Sequence, residues 1–358
     1  MNLMVLEFCG LGNSVLLSNI FYLSSHNNIT FIGDDRYGGL SIHRDNIHLK
    51  KIINIKKKNI YSIIRHIKIQ NYIIIPFTSN PSIIFTFLLF FFAKEKFYIS
   101  NKYFKDMNFF KLKIVNLILK VKKKFNKNFF LKEINFDEQE NERDINFKFI
   151  KDINYKKKLI NEKIKFNYNE NSNIIENYNL KIDKYFVIQP YANNGSKSAK
   201  IWPEKMFVSL FNLLVKNFPD HQIVLVGDKS DLKNSKNKFS LDKVLNLIGK
   251  TNFDDLISLI KNSSNIICHD SSILHISDSL NKKNISIFGP TNFKKNRPFG
   301  KNSKSLFKNY PCSPCIGWSK SGLYHTNEVQ ALQLCKYNHK CMKNIKPHNI
   351  LDAIIEMY

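Results

Sequence analysis

Asn265-Ile266-Ile267-Cys268-His269-Asp270-Ser271-Ser272-Ile273-Leu274-His275 is a short apolar run that ends in Asp-Ser-Ser, with a histidine about one helical turn further on. The run has the length and β-branched content of a strand. Asp270 or Ser271 is a good N-cap for a helix that follows. In an open α/β sheet, ligands bind at the carboxyl ends of strands, where helix N-termini offer free N–H groups to phosphate. Ser271 and His275 are four residues apart and share one face of such a helix. This stretch is therefore a candidate cradle for a ribose and a diphosphate held without metal.

The same pattern recurs on either side. Phe186 to Pro190 reads as a strand running into a polar loop, Tyr191 to Lys200. Lys200-Ile201-Trp202-Pro203-Glu204 follows, and Pro203 suits the first turn of a helix from about Glu204 to Asn217. Gln222 to Asp228, Val244 to Gly249 and Asn284 to Thr291 are further apolar runs ending in turns. Nearer the N-terminus, Leu3 to Phe8 is a strand, Gly10-Leu11-Gly12-Asn13 a turn, Ser14 to Ser24 a helix and Ile29 to Ile32 a strand. Asn71 to Pro76 and Lys96 to Ser100 are also expected strands, and Phe110 to Lys124 a helical piece. Strands alternating with helices imply an α/β protein with parallel sheets. Asp137 to Asp144 is acidic and reads as an exposed loop. The boundary between two domains falls around Ile164 to Lys184.

Five motifs in this order, K-x-W-P, a strand ending in Gly, N-L-x-G-K-T, D-S-x-x-x-H and F-G-P-T, resemble glycosyltransferase family 9, which includes the ADP-heptose:lipopolysaccharide heptosyltransferases. The resemblance runs from about Phe186 to Cys315, returns at Gly10 to Asn13, and is nearly absent from Asn101 to Asn179. It implies a GT-B fold of two Rossmann-like domains with parallel sheets facing a central cleft. Residues 1–175 would be the acceptor-side domain and 176–345 the nucleotide-sugar-binding domain. A last helix, 346–358, commonly crosses back onto the first domain in this fold. The implied activity is inverting, metal-independent transfer of a sugar, heptose from ADP-heptose in the first instance, onto a lipopolysaccharide core or related bacterial surface glycan. No cofactor is implied for catalysis beyond the nucleotide-sugar donor.

The resemblance also assigns residues. Lys200 matches the phosphate-binding lysine, and Asn193 and Asn194 lie on the loop that contacts donor phosphate. Asp270, Ser271, Ser272 and His275 match the donor motif, with Ser272 where glycine is usual. Gly10, Gly12 and Asn13 form the acceptor-side loop. Asn13 stands where an aspartate is the usual base. An amide does not accept a proton at neutral pH, and loss of a general base typically costs ~10²–10⁴-fold. Asp34, Asp35 and His43 follow the second strand and could substitute. The alternative is a catalytically silent GT-B protein that binds nucleotide-sugar without turnover. The adjacent pairs Asp34-Asp35 and Asp254-Asp255 are not the Asp-x-Asp of metal-dependent transferases.

Charge bounds the partners. The chain of 358 residues carries a net charge of +26, almost all of it lysine. Arg36, Arg44, Arg65, Arg143 and Arg297 are the only arginines. Bidentate readout of nucleic acid usually uses arginine, so a nucleic-acid partner is not expected. A basic surface suits an anionic glycolipid acceptor or an anionic membrane leaflet. No signal peptide is read at Met1 to Leu6. The apolar run Pro81 to Ala93 is shorter than the ~20 residues a spanning helix needs. It reads as a buried helix or as one that dips into the membrane surface. The expected location is the cytoplasm, with peripheral contact at the inner membrane's cytoplasmic face. Cys312-Ser313-Pro314-Cys315 with Cys335 and Cys341 is a candidate structural zinc set, although its second spacing is loose. The alternative is free thiols.

Overall fold

The computed structural model describes residues 2–358 apart from 9, 25–26, 35–38, 56–59, 77–82, 94–95, 101–108, 127–128, 136, 138–139, 152–167, 193–197, 233–238, 240 and 317–327. The chain divides into two compact units, Met1–Tyr168 and Asn169–Tyr358.

The first unit carries strands β1 (Asn2–Glu7), β2 (Asn28–Gly33), β3 (Leu49–Asn54), β4 (Tyr72–Ile75), β5 (Lys96–Ser100) and β6 (Phe130–Ile134). They form one sheet in the order β3-β2-β1-β4-β5-β6, and every pairing is parallel. Its helices are α1 (Leu11–Leu23), α2 (Gly39–His43), α3 (Ile60–Lys68), α4 (Ile83–Phe92), α5 (Phe109–Phe125) and α6 (Glu142–Lys151). Alternate residues of β1 feed opposite faces, as strand geometry requires. Met4 and Leu6 join one core with Leu89, Phe90, Ile118 and Leu119 of α4 and α5. Leu3 and Val5 join the other with Leu17 and Phe21 of α1 and Ile145 and Phe149 of α6. Burial on both faces explains why the central strands are continuous apolar runs.

The acidic stretch near residue 140 differs from its expected form as an exposed loop. Asn141, Glu142 and Arg143 are buried, and Glu142 opens α6. The Asn141 Oδ1 accepts the Arg143 N–H at 2.9 Å, and the Arg143 guanidinium stacks over the Phe147 ring at 5.6 Å. Packing of α6 on the sheet outweighs the polarity of its first turn.

The second unit carries α7 (Asn173–Asn177), β7 (Tyr185–Ile188), α8 (Glu204–Asn217), β8 (Gln222–Leu225), β9 (Val244–Asn246), α9 (Phe253–Asn262) and β10 (Asn265–His269). There follow α10 (Ser272–Ser279), β11 (Asn284–Phe288), α11 (Phe293–Asn296), β12 (Ser303–Phe307), α12 (Glu328–Gln333), α13 (Lys340–Lys343) and α14 (Pro347–Ile355). The sheet order is β12-β11-β10-β7-β8-β9, again all parallel. Both sheets thus have the doubly wound order 3-2-1-4-5-6 within their own units, and the second reverses direction between β7 and β10. The last helix packs inside the second unit, where Ile350 and Ile354 meet Leu210, Phe211 and Leu214 of α8. Among the described residues no helix is long and apolar enough to cross a membrane. The apolar helix α4 is a core element, with Phe85, Leu88, Leu89 and Phe90 buried.

Candidate functional site

The carboxyl ends of β7 and β10 lie side by side at the point where the second sheet's order reverses. Such a point is where open α/β sheets bind ligands. The backbone leaves β10 at His269, passes through Asp270 and enters α10 with Ser271 as its N-cap. The Ser271 side chain makes no cap hydrogen bond. Its hydroxyl instead donates to Oε1 of Gln189, the residue after β7, at 2.5 Å. That bond ties the two strand ends together and leaves the positive end of α10 without a side-chain cap. Asp270 is 6% exposed, and its Oδ2 accepts from Nδ2 of Asn296 at 2.8 Å.

Lys200 reaches the same spot. Its ammonium lies 3.5 Å from the Asp270 carbonyl oxygen, a long contact at the edge of hydrogen bonding. The segment that carries it is anchored on three sides. The Trp202 N–H donates to Nε2 of His269 at 3.0 Å, and the Trp202 indole N–H donates to the Ile345 carbonyl at 2.8 Å. The His339 ring lies 2.5 Å from the Ala199 carbonyl. Trp202 itself is fully buried, edge-on to Phe207. His269 accepts through Nε2, so its imidazole is neutral. Burial, with Lys200 nearby, holds its pKa down at about 3. His275 is 6% exposed and is also held below the usual histidine range by burial, with Asp270 and Asp278 opposing. Asp278, later on α10, fastens the far side by accepting from the Phe299 and Gly300 N–H groups at 3.0 and 2.7 Å and from the Ser303 hydroxyl at 2.7 Å.

Of the residues singled out in the sequence, Lys200, Asp270, Ser271, Ser272 and His275 gather at this strand end. Asn193 and Asn194 lie outside the described residues. Gly10, Gly12 and Asn13 sit in the first unit at the exit of β1, where the Gly10 carbonyl accepts the Asn13 N–H at 3.1 Å and α1 begins. Asn13 is half-buried in the first turn of α1. Behind it, the Ser14 hydroxyl donates to Glu7 at 2.6 Å. His43 is fully enclosed between the rings of Phe21 and Phe31, at 4.7 and 4.8 Å, and burial holds its pKa down at about 3. It is a core residue and no substitute base. Asp34 is 3% exposed, and Asp35 lies outside the described residues. The anchors Gln189, His269, Asp278, Asn296 and His339 carried no sequence signal of their own, because each acts through a partner remote in the chain.

The family description Glycosyltransferase family 9 (heptosyltransferase) matches residues 88–325, well over half of the chain. The chain belongs to glycosyltransferase family 9. A relative named lipooligosaccharide heptosyltransferase 2, from Campylobacter jejuni, is 30% identical over 179 residues, 48% of this chain and 50% of that protein. The match spans about half the length of that relative. A crystal structure of a family 9 glycosyl transferase from Veillonella parvula superposes with a TM-score of 0.72 at 13% identity, covering 99% of this chain and 96% of that one. The E. coli ADP-heptose LPS heptosyltransferase II gives 0.64 at 13% identity, covering 100% and 98%. At that identity the likeness is one of fold, and it agrees with the expected GT-B architecture.

In this family 9 chain the cysteines serve the site indirectly. Cys312, Cys315, Cys335 and Cys341 are all free thiols. Burial and the neighbouring cysteines push Cys315 and Cys341 up to about 12 and raise Cys312 as well. Among the described residues no group of three or more His, Cys, Asp or Glu side chains is placed to hold a metal ion. The segment clasps the turn after β11. The Cys315 and Ile316 N–H groups both donate to the Pro290 carbonyl at 2.9 Å. A Cβ on Gly289 would lie 3.1 Å from the Cys341 sulfur, so the Gly289-Pro290 turn after β11 is glycine for close packing. The same C-terminal segment supplies His339 and Ile345 to the Lys200 loop.

Proposed function

We propose that the chain transfers a heptose from an ADP-linked donor to an acceptor of the lipopolysaccharide or lipooligosaccharide kind. The observation that carries this reading is the meeting of Lys200, Asp270, Ser271 and the uncapped end of α10 at one strand switch point. Family membership and the names of the relatives favour heptose and ADP over other sugars and nucleotides. The donor diphosphate sits at the N-terminus of α10 with the Lys200 ammonium beside it. Asp270 and His275 contact the ribose and the sugar side. An acceptor hydroxyl oxygen attacks the anomeric carbon from the face opposite the diphosphate. The bond between that carbon and the diphosphate oxygen breaks, and ADP leaves with the electron pair, so configuration inverts. Lys200 and the helix dipole stabilise the charge that grows on the departing diphosphate. Asn13 orients the hydroxyl, whose proton passes to solvent.

A second reading, a silent nucleotide-sugar-binding protein, follows from the amide at Asn13. Thermal shift with ADP-, GDP- and UDP-sugars on the wild type, Asp270→Ala and Lys200→Met tests the donor site. A shift with ADP-heptose alone, lost in both variants, is expected. No shift with any nucleotide overturns the assignment. Turnover with a heptose-deficient acceptor extract then separates the two readings. An active transferase turns over, and Asn13→Asp accelerates it by up to ~10² at neutral pH, since a positioned base contributes on that scale. Donor binding without turnover in either protein establishes the silent reading.

A further inference from the structure

Helix α5 has two unlike faces. Val115, Ile118 and Leu119 point into the core shared with α4. On the outer face Leu117, Val121 and Phe125 are 64%, 45% and 80% exposed. They are spaced four residues apart and form one ridge along the last two turns. Lys120 and Lys124 lie three residues after Leu117 and Val121, on the adjoining ridge, and both are exposed, as is Lys113 one turn earlier. The helix contains no acidic residue. Lys122 turns the other way, and its ammonium donates to the carbonyls of Phe91 and Ala93 at the end of α4, where Phe91 is itself 55% exposed.

A run of three large apolar side chains exposed in line is uncommon on a water-facing helix. With a lysine border it is the pattern of a helix lying in a lipid interface, with its apolar ridge at the acyl boundary and its ammonium groups at the phosphates. Charge selects the occupant. Two copies of this chain pairing ridge to ridge would bring like-charged lysine borders together, at +26 per chain. An anionic bilayer is complementary to both halves of the pattern.

We propose that the outer face of α5 docks on an anionic phospholipid surface, with Leu117, Val121 and Phe125 inserted at the headgroup–acyl boundary and Lys113, Lys120 and Lys124 on lipid phosphates. This adds a partner surface to the reading of the acceptor as a membrane glycolipid, and its test is independent of that reading. The full chain is sedimented with vesicles of phosphatidylglycerol in phosphatidylcholine and with phosphatidylcholine alone. The wild type is expected to bind the anionic vesicles at least about tenfold more strongly, with binding that weakens as salt is raised. Leu117→Ser/Val121→Ser/Phe125→Ser and Lys120→Glu/Lys124→Glu are each expected to lose about tenfold in binding. All these positions are exposed, so the ADP thermal shift stays at its wild-type value and serves as the fold control. Equal binding to both vesicle types overturns the proposal, as does undiminished binding by the serine variant. A wild-type dimer that the serine variant converts to monomer, with no vesicle binding by either, also overturns it and assigns the face to self-association. Absence of an ADP shift alongside intact vesicle binding would sink the donor assignment and leave the docking surface standing.

Discussion

The segment that carries Lys200 is held in place by a histidine that burial keeps neutral near neutral pH. Nε2 of His269 must stay bare to accept the Trp202 N–H, and its pKa of about 3 keeps it so. His43 in the first unit is equally buried, with the same low value. In the unfolded chain both titrate near the usual ~6.5. Between the two values the unfolded state binds protons that the folded state does not, so stability is full above about pH 6.5 and falls as pH drops toward 3. Each histidine adds a slope of up to about 1.4 kcal/mol per pH unit in that window. Urea midpoints compared at pH 7 and pH 5.5, above the range where most carboxylates titrate, should drop clearly for the wild type. His269→Gln keeps an acceptor for the Trp202 N–H and should show a shallower drop. Identical midpoints at the two pH values would show that these histidines are not buried neutral.

At the scale of elements, Trp202 pins the Lys200 segment to the C-terminal segment through Ile345. Trp202→Phe keeps an aromatic ring beside Phe207 and deletes one buried hydrogen bond. It should cost roughly 2–4 kcal/mol in stability, because it leaves the Ile345 carbonyl buried and unpaired and shrinks a fully buried ring. The accompanying loosening of Lys200 should raise KM for the donor more than it lowers kcat. A variant with wild-type KM would show that the clasp does not position the lysine. The elements that could be read from the chain are the ones whose apolar residues follow a clear pattern, continuous in buried strands and at helical spacing in α8. The β5 strand, Lys96–Ser100, and helix α8, Glu204–Asn217, end where their apolar pattern ends. The missed strands β3, β6 and β12 stand at or form sheet edges. There lysine, glutamate or serine interrupts the apolar residues, and edge strands are polar for a physical reason, since they face solvent and must not pair further. At the site, the motif residues Lys200, Asp270 and His275 were legible because their spacing is local. Gln189, Asn296 and His339 were not, because each meets its partner across a distance of chain that no local pattern records.

Across the whole molecule, two sheets of the same strand order carry unequal chemistry. The second unit holds Lys200, Asp270 and the N-terminus of α10, so it contains the contacts proposed for ADP within its own boundaries. The two tryptophans, Trp202 and Trp318, both fall in that unit's span of sequence. Tryptophan fluorescence therefore follows the second unit, while amide exchange in β1 and β2 follows the first. A ligand bound by one folded unit stabilises that unit by about 2.7 kcal/mol when present at a hundred times its Kd. Saturating ADP should accordingly raise the urea midpoint seen by fluorescence and leave exchange of the most protected β1 and β2 amides unchanged. Equal protection of both units would mean either that ADP contacts span the two or that they unfold as one cooperative body, and the donor site could then no longer be assigned to the second unit alone. A response confined to fluorescence would fix the nucleotide there, and would leave the basic first unit, with Asn13 at the exit of β1 and the lysine-bordered ridge on α5, for the acceptor and the surface that carries it.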